Sequence, residues 1–138
     1  MRFFFYGTLL DPDVTAIVLG RRLPPSAFVP ATLSGFVRRR AAGKGYPILV
    51  ERRGGTVPGM VVGGLTRADA ARLSAYEGPN YRVSSLPVRL QGRLDRVSVF
   101  TPNGPGLAPS ADEWDLASWQ GRYKRPFVAW IRRALSAR

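Results

Sequence analysis

The hydrophobic positions of this 138-residue chain occur mostly in short runs, separated by breaks that contain glycine or proline. The first run, FFFY, is continuously aromatic, which is typical of a strand buried on both faces, and it predicts a strand over residues 2–6. Further segments with strand character lie at residues 27–37, 46–51, 56–65, 81–90 and 94–101. The chain is therefore expected to form a sheet of about six strands.

Two helices are predicted from the signals at their ends. Asp11-Pro12 supplies an N-cap and a proline for the first helical turn, and Gly20 ends this helix. The second helix is predicted over residues 67–77, with Thr66 as its N-cap and Asp69 at the capping-box position. The local sequence thus predicts where both helices begin and end.

The chain is predicted to be helical again from about residue 112, because apolar positions from Phe127 to Leu135 recur at helical spacing. The Pro- and Gly-rich segment before it, residues 101–111, is expected to be a loop. Strands and helices that do not alternate regularly indicate an α+β fold. The length fits a single domain over residues 1–138.

The net charge of +12 raises the question of a polyanionic partner. Arginine supplies nearly all of the positive charge, since only Lys44 and Lys124 are lysines. A basic balance of this size attracts phosphate backbones, so nucleic-acid binding is one open hypothesis. The arginines are spread along the chain, however, without a zinc-finger, KH or RRM signature, which favours a solvated basic surface and no specific nucleic-acid partner.

The apolar runs are too short to span a bilayer, and the N-terminus lacks the pattern of a signal peptide. We therefore expect a soluble, cytoplasmic protein without a membrane partner. Its oligomeric state is left open by the sequence.

The chain contains no cysteine and no histidine, which restricts its chemistry. Ser-His and Cys-His nucleophilic mechanisms, imidazole acid-base catalysis and metal sites built on thiolate or imidazole are excluded. The spacing of the nine acidic residues does not suggest a carboxylate metal site either. An enzyme with this composition must use a carboxylate, a tyrosine, a lysine or backbone groups.

Among the acidic residues, Glu77 has the position best suited to proton transfer. It lies four residues after Leu73, so in a helix its side chain projects beside a core-facing leucine and next to Tyr76. Burial and the C-terminal end of the helix both raise a carboxyl pKa toward the range where the group can accept and return a proton near neutrality. The alternative is an ordinary half-buried glutamate paired with Arg82.

The break after the first strand, Tyr6-Gly7-Thr8-Leu9, suits the binding of an anion or an oxyanion. A glycine at the end of a buried strand permits unusual backbone angles, so that consecutive N–H groups can point toward one atom. The alternative is that Gly7 merely lets the chain turn into the first helix.

Four motifs, in this order and at these separations, carry a family resemblance: FYGTL, GYPILV, VPGMVVGGLT and LSAYEGPNYRV. Together they resemble the gamma-glutamylcyclotransferase-like family, particularly its AIG2-like and gamma-glutamylamine cyclotransferase branch, over about residues 2–100. The resemblance implies a small closed or nearly closed β-barrel of mixed strands with flanking helices.

The resemblance also implies the site. Glu77 of the YEG motif would be the catalytic acid/base. The loop residues that bind the glutamyl or 5-oxoproline part of the ligand would be Tyr6, Gly7, Thr8 and Leu9. Tyr46 and Tyr81 match aromatic positions of the family and would line the cavity. Phe100 is a departure, because many relatives have a tyrosine there.

The implied reaction releases 5-oxoproline from a γ-glutamyl amine or amide and uses no cofactor. The substrate's own α-amine attacks its γ-carbonyl, so the enzyme has to position one molecule and move protons. A non-catalytic module that binds a small metabolite in the same pocket is the alternative, since a fold can keep a pocket and change its chemistry.

Overall fold

A computed structural model describes residues 1–136, which form six strands, four α-helices and two 3₁₀ turns, and residues 137 and 138 of the predicted domain lie outside the described part. The strands are β1 (Phe3–Phe5), β2 (Phe28–Ala41), β3 (Pro47–Val62), β4 (Tyr81–Leu90), β5 (Arg93–Pro102) and β6 (Pro109–Glu113). The helices are α1 (Pro12–Leu19), α2 (Arg67–Glu77), α3 (Leu116–Arg122) and α4 (Lys124–Ser136), and the 3₁₀ turns are Thr8–Leu10 and Pro25–Ala27.

Five of the strands close into a barrel. Their order is β3-β1-β5-β4-β2, and β2 pairs with β3 again to complete the circle. β1 and β5 are parallel, whereas the other pairings are antiparallel. The sixth strand, β6, pairs with β2 outside this circle. The predicted α+β fold with a small mixed-strand barrel and flanking helices is confirmed.

The aromatic run of β1 fills two separate apolar clusters. Phe4 and Tyr6 belong to the cluster inside the barrel, with side chains of β2 to β5. Phe3 and Phe5 point the other way and pack against residues of the helices. Because successive side chains of a strand point to opposite faces, a strand between two cores must be apolar at every position. This explains why the alternation typical of half-exposed strands is missing here.

Both predicted N-caps are present. The Asp11 carboxylate accepts hydrogen bonds from Asp13 N at 2.9 Å and Val14 N at 3.2 Å, at the start of α1. Thr66 and Asp69 exchange bonds of 2.9 and 3.0 Å in a capping box at the start of α2. α1 ends before Gly20, whose φ of 78° is the left-handed conformation that glycine tolerates. Within residues 1–136, every helix is too short or too polar to cross a bilayer.

Two details of the predicted element order are wrong. The segments 46–51 and 56–65 form one strand, β3, in which residues 52–55 bulge opposite Gly35 of β2. Residues 109–113 are strand β6 and not loop or helix, and helical structure begins only at Leu116. In both places the long β2 offers backbone hydrogen bonds, and this partner overrides the local Gly and Pro signals.

Candidate active site

A cavity of about 290 Å³ lies where the end of β1 meets the C-terminal end of α2 and one face of α4. All of the predicted site residues line it, although they come from distant parts of the chain: Tyr6, Gly7, Thr8, Leu9, Tyr46, Glu77 and Tyr81. Its size is near the lower end of the range typical of small-molecule sites. The structure therefore brings the predicted acid and the predicted binding loop to one cavity.

The loop after β1, which lines this cavity, has backbone N–H groups without a protein acceptor among residues 1–136. Leu10 N donates to Gly7 O at 2.9 Å and Asp11 N donates to Thr8 O at 3.0 Å, which closes the 3₁₀ turn. Within the described part of the chain, the N–H groups of Gly7, Thr8 and Leu9 donate to no protein acceptor. Free N–H groups at the start of a helical turn are suited to bind an anion.

Gly7 is required by close packing and not by an unusual φ. Its φ of −122° lies outside the left-handed region that favours glycine, and its ψ is −138°. A Cβ on this residue would instead lie 2.9 Å from Pro47 Cγ. A side chain here would push the loop away from the start of β3.

Side chains from other elements hold the loop in place. The Thr8 hydroxyl lies 2.6 Å from the Tyr76 hydroxyl of α2. The Thr15 hydroxyl donates to Leu9 O at 2.6 Å, and the buried Tyr6 hydroxyl donates to Phe100 O. These contacts tie the loop to α1, α2 and β5, so its free N–H groups are preorganised.

The Arg38 guanidinium braces the same loop from the other side. Its Nη1 donates to Tyr6 O at 2.8 Å and its Nε donates to Trp114 O at 2.9 Å. The guanidinium also lies 5.0 Å from the centre of the Trp114 ring, whose Nε1 donates to Gly45 O at 2.8 Å. This chain of contacts joins the loop after β1 to the segment that carries Tyr46.

Glu77 is the last residue of α2 and lines the cavity. It lies one helical turn after Leu73, whose side chain is completely buried. It is half-buried, because one side of it faces the cavity. Burial raises the pKa of its carboxyl from 4.5 to about 8. The exposed Arg82 forms no ion pair with it, so among residues 1–136 the alternative of a Glu77–Arg82 pair is not found.

Four tyrosines surround this carboxyl. They are Tyr6, Tyr46, Tyr76 and Tyr81. Burial is the largest cause that raises the pKa of their hydroxyls, and the negative charge of Glu77 is the second. Tyr81 donates to Pro47 O at 2.7 Å and is thereby fixed against the start of β3. The hydroxyls stay protonated near neutrality. Those of Tyr6 and Tyr81 already donate to backbone carbonyls, so they can only accept a hydrogen bond from a ligand.

Two parts of the site are not predicted from the sequence. Tyr76 was noted only as a neighbour of Glu77, yet it lines the cavity and contacts Thr8. α4 supplies the outer wall of the cavity, through the apolar face formed by the helical spacing from Phe127 to Leu135. At position 100, phenylalanine lines the cavity and stacks on Phe3, with ring centres 5.3 Å apart.

Comparison with known proteins identifies the family. The family model described as "Gamma-glutamyl cyclotransferase, AIG2-like" matches residues 3–121, up to but not including α4. AIG2-like protein C of Arabidopsis thaliana is 31% identical over 140 aligned residues, covering 98% of this chain and 78% of that protein. AIG2-like protein A of the same plant is 29% identical over 137 residues, covering 98% and 81%.

Solved structures agree in fold. A solution structure of an Arabidopsis thaliana protein superposes with a TM-score of 0.67 at 28% identity, covering 97% of this chain and 81% of that one. A structure titled "Gamma-glutamyl cyclotransferase" superposes with a TM-score of 0.59 at 16% identity, covering 95% and 85%. With a family model matching most of its length, this chain belongs to the AIG2-like family of gamma-glutamyl cyclotransferases.

Proposed function

We propose that the protein is a cyclotransferase that releases 5-oxoproline from a γ-glutamyl amine or amide, with Glu77 as the general acid and base. The observation that carries the proposal is the shared cavity: within residues 1–136, a carboxyl without an ion pair and a loop with free N–H groups line the same space of about 290 Å³. Membership of the family supports the same reaction class.

The reaction needs one bond to form and one to break. The substrate's α-amino nitrogen attacks its γ-carbonyl carbon, which forms the five-membered ring, and the bond from that carbon to the leaving nitrogen breaks. No water or cofactor is consumed, because the attacking group belongs to the substrate. The proposal places this reaction in the cytoplasm and requires neither nucleic acid nor a membrane.

Glu77 would carry the proton between the two nitrogens. Its carboxylate removes a proton from the attacking amine, and the resulting acid donates a proton to the departing amine. A group with a pKa near 8 populates both forms at slightly alkaline pH, whereas an ordinary glutamate is almost fully ionised there. Burial in the cavity therefore gives Glu77 the property that this step requires.

The loop N–H groups would hold the negative part of the substrate. Gly7, Thr8 and Leu9 offer three donors to the glutamyl α-carboxylate or to the charge that develops on the γ-carbonyl oxygen. The contacts from Tyr76 and Thr15 fix these donors before substrate binds. A folded substrate held in this way is close to its reactive conformation, which removes much of the entropic barrier.

The test is to incubate the protein with a panel of γ-glutamyl amides and to measure 5-oxoproline and the free amine by mass spectrometry. Glu77→Gln should lower turnover by about 10²- to 10⁴-fold, as expected for the loss of a general acid/base. Glu51→Gln, at an exposed position of β3, removes the same charge elsewhere and should retain full activity. Unreduced turnover by a folded Glu77→Gln variant would exclude the assigned role.

The metabolite-binding alternative predicts a different result in the same experiment. Such a module would bind 5-oxoproline or a γ-glutamyl amide, measured by calorimetry, without release of free amine. Binding without product from every amide would therefore replace the enzyme proposal with the binding module.

A further inference from the structure

α4 forms an apolar wall at the mouth of the cavity. Its lining residues recur every three or four positions and so occupy one helix face. They are Phe127, Trp130, Ile131, Ala134 and Leu135. The family model ends at residue 121, so this wall is built from a part of the chain that the family pattern does not specify.

Trp130 differs from the other two tryptophans of the chain. Trp114 and Trp119 are 5% and 3% exposed, whereas Trp130 is 57% exposed although it lines the cavity. A large aromatic side chain that is partly exposed at the edge of a cavity can bury apolar surface against a bound ligand. Its position identifies Trp130 as part of the cavity mouth.

An aromatic series leads from this mouth to the binding loop. The rings of Trp130 and Phe127 have centres 6.1 Å apart, and Phe127 meets Tyr76 edge-on at 6.3 Å. The hydroxyl of Tyr76 reaches Thr8 in the loop. A substrate whose glutamyl part lies at the loop must therefore place its leaving group along this series toward Trp130.

The wall is anchored at its N-terminal end. Lys124, the first residue of α4, contacts the carboxylates of Asp11 and Asp13, each at 2.8 Å. Both aspartates belong to the start of α1, directly after the binding loop. The loop and the wall are thus tied to the same short segment, which fixes the distance between them.

The charges around the cavity disfavour a charged leaving group. No lysine or arginine among residues 1–136 lines the cavity, so a carboxylate on the leaving amine would lose its water without gaining a cation. Among residues 1–136, Glu77 is the only acidic residue that lines the cavity, and the proposed reaction uses its carboxyl. The rest of the α4 surface carries exposed arginines at 125, 132 and 133, which repel a cationic amine.

We propose that the leaving amine of the substrate bears an uncharged aromatic or bulky aliphatic group, which packs against the α4 wall and Trp130. This inference rests on the proposed function, because it assigns a substrate class to the same cavity. It excludes lysine side chains, diamines and amino acids with a free carboxylate as preferred leaving groups. α4 is then the element that determines specificity.

A matched set of three amides tests the inference. γ-Glutamyl hexylamide ends in a methyl group, the γ-glutamyl amide of 1,5-diaminopentane replaces that methyl with an ammonium, and the amide of 6-aminohexanoate ends in a carboxylate. The hexylamide should have a kcat/KM at least about 10-fold higher than either charged amide, because the charged ends must be desolvated at an apolar wall. 5-Oxoproline is measured for all three.

Variants of α4 identify the surface responsible. Trp130→Ala should lower kcat/KM for the hexylamide about 10-fold and change the diamine amide by less than about 3-fold, while Trp130→Phe should keep most of the preference. Arg132→Ala, on the opposite face of α4, should leave the preference unchanged. Ala134→Glu adds a carboxylate to the wall and should shift the preference toward the diamine amide.

The outcomes separate the two proposals. Equal turnover of the three amides, or an unchanged preference in a folded Trp130→Ala variant, would overturn the inference and leave the cyclotransferase proposal intact. Absence of 5-oxoproline from every amide would overturn both.

Discussion

Replacing Glu77 with glutamine should make the fold more stable at alkaline pH, because it removes a charge that the cavity disfavours. The unfolded carboxyl has a pKa of 4.5 and the folded one a pKa of about 8. Between these values the folded protein holds a proton that the unfolded chain has released. The free energy of unfolding therefore falls as pH rises through this range, and it levels off above pH 8.

The magnitude follows from the two pKa values. The pKa rises by 8 − 4.5 = 3.5, and at about 1.36 kcal/mol for each pKa unit the full difference is on the order of 5 kcal/mol. Solvent reaches one side of Glu77 through the cavity and screens the charge, so we expect a loss of about 2–4 kcal/mol between pH 5 and pH 9. Glutamine has nearly the same shape and does not titrate.

The assay is urea denaturation of wild type and Glu77→Gln at pH 5, 7 and 9. The difference between their unfolding free energies should be small at pH 5 and should grow in favour of the variant toward pH 9. The control Glu51→Gln, at an exposed position, should follow the wild type across this range. A difference between wild type and Glu77→Gln that stays constant from pH 5 to pH 9 would refute the reasoning that burial raises this pKa.

Three further substitutions test the site and its support. Gly7→Ala would bring a Cβ to 2.9 Å from Pro47 Cγ and should therefore displace the loop after β1. We expect kcat/KM for 5-oxoproline release to fall at least about 10-fold. An unaffected rate would show that the loop tolerates the shift. Leu73→Ala removes a fully buried side chain and should cost about 2–5 kcal/mol in urea denaturation, and a cost below this range would mean that the helix repacks. Asp69→Asn should lower the free energy of unfolding by about 1–3 kcal/mol at pH 7, because it removes the carboxylate that Arg21 binds. Hydrogen bonds from Arg21 lower the pKa of this buried carboxyl, so the stabilisation by its charged form is fully present above pH 3.8. That cost should shrink as pH falls below 3.8, and a pH-independent cost would point to lost packing instead.

The sequence predicted the parts of the site that depend on near neighbours. The capping box of Thr66 and Asp69 determines where α2 begins, and the helical repeat then places Glu77 above Leu73. The aromatic run of β1 indicated a strand between two cores, which the opposite orientations of Phe4 and Phe5 confirm. The expected cavity role of Tyr46 and Tyr81 came from family resemblance alone, since nothing near them in the chain indicates it.

The path of the chain through residues 52–55 and 109–113 was decided by a distant partner. Gly54 and Gly55 have the composition of a break, yet β2 pairs with β3 on both sides of them and makes one long strand. Residues 109–113 pair with the edge of β2, where Arg39 lies opposite Glu113. Backbone groups take whichever partner the fold supplies, so these pairings have no signature in the local sequence.

The sequence by itself determined the two helices with clear caps, the two-sided burial of β1, the family, and which acid and which loop residues meet in the cavity. Each of these depends on residues close together in the chain or on a specific motif. Only the tertiary structure decided that the barrel closes through β2 and β3, that Arg38 braces the loop, and that α4 walls the cavity. An apolar helix face has the same spacing whether it covers a core or lines a pocket. The difference lies in what packs opposite it, and that depends on contacts between residues more than a hundred positions apart, such as Lys124 with Asp11.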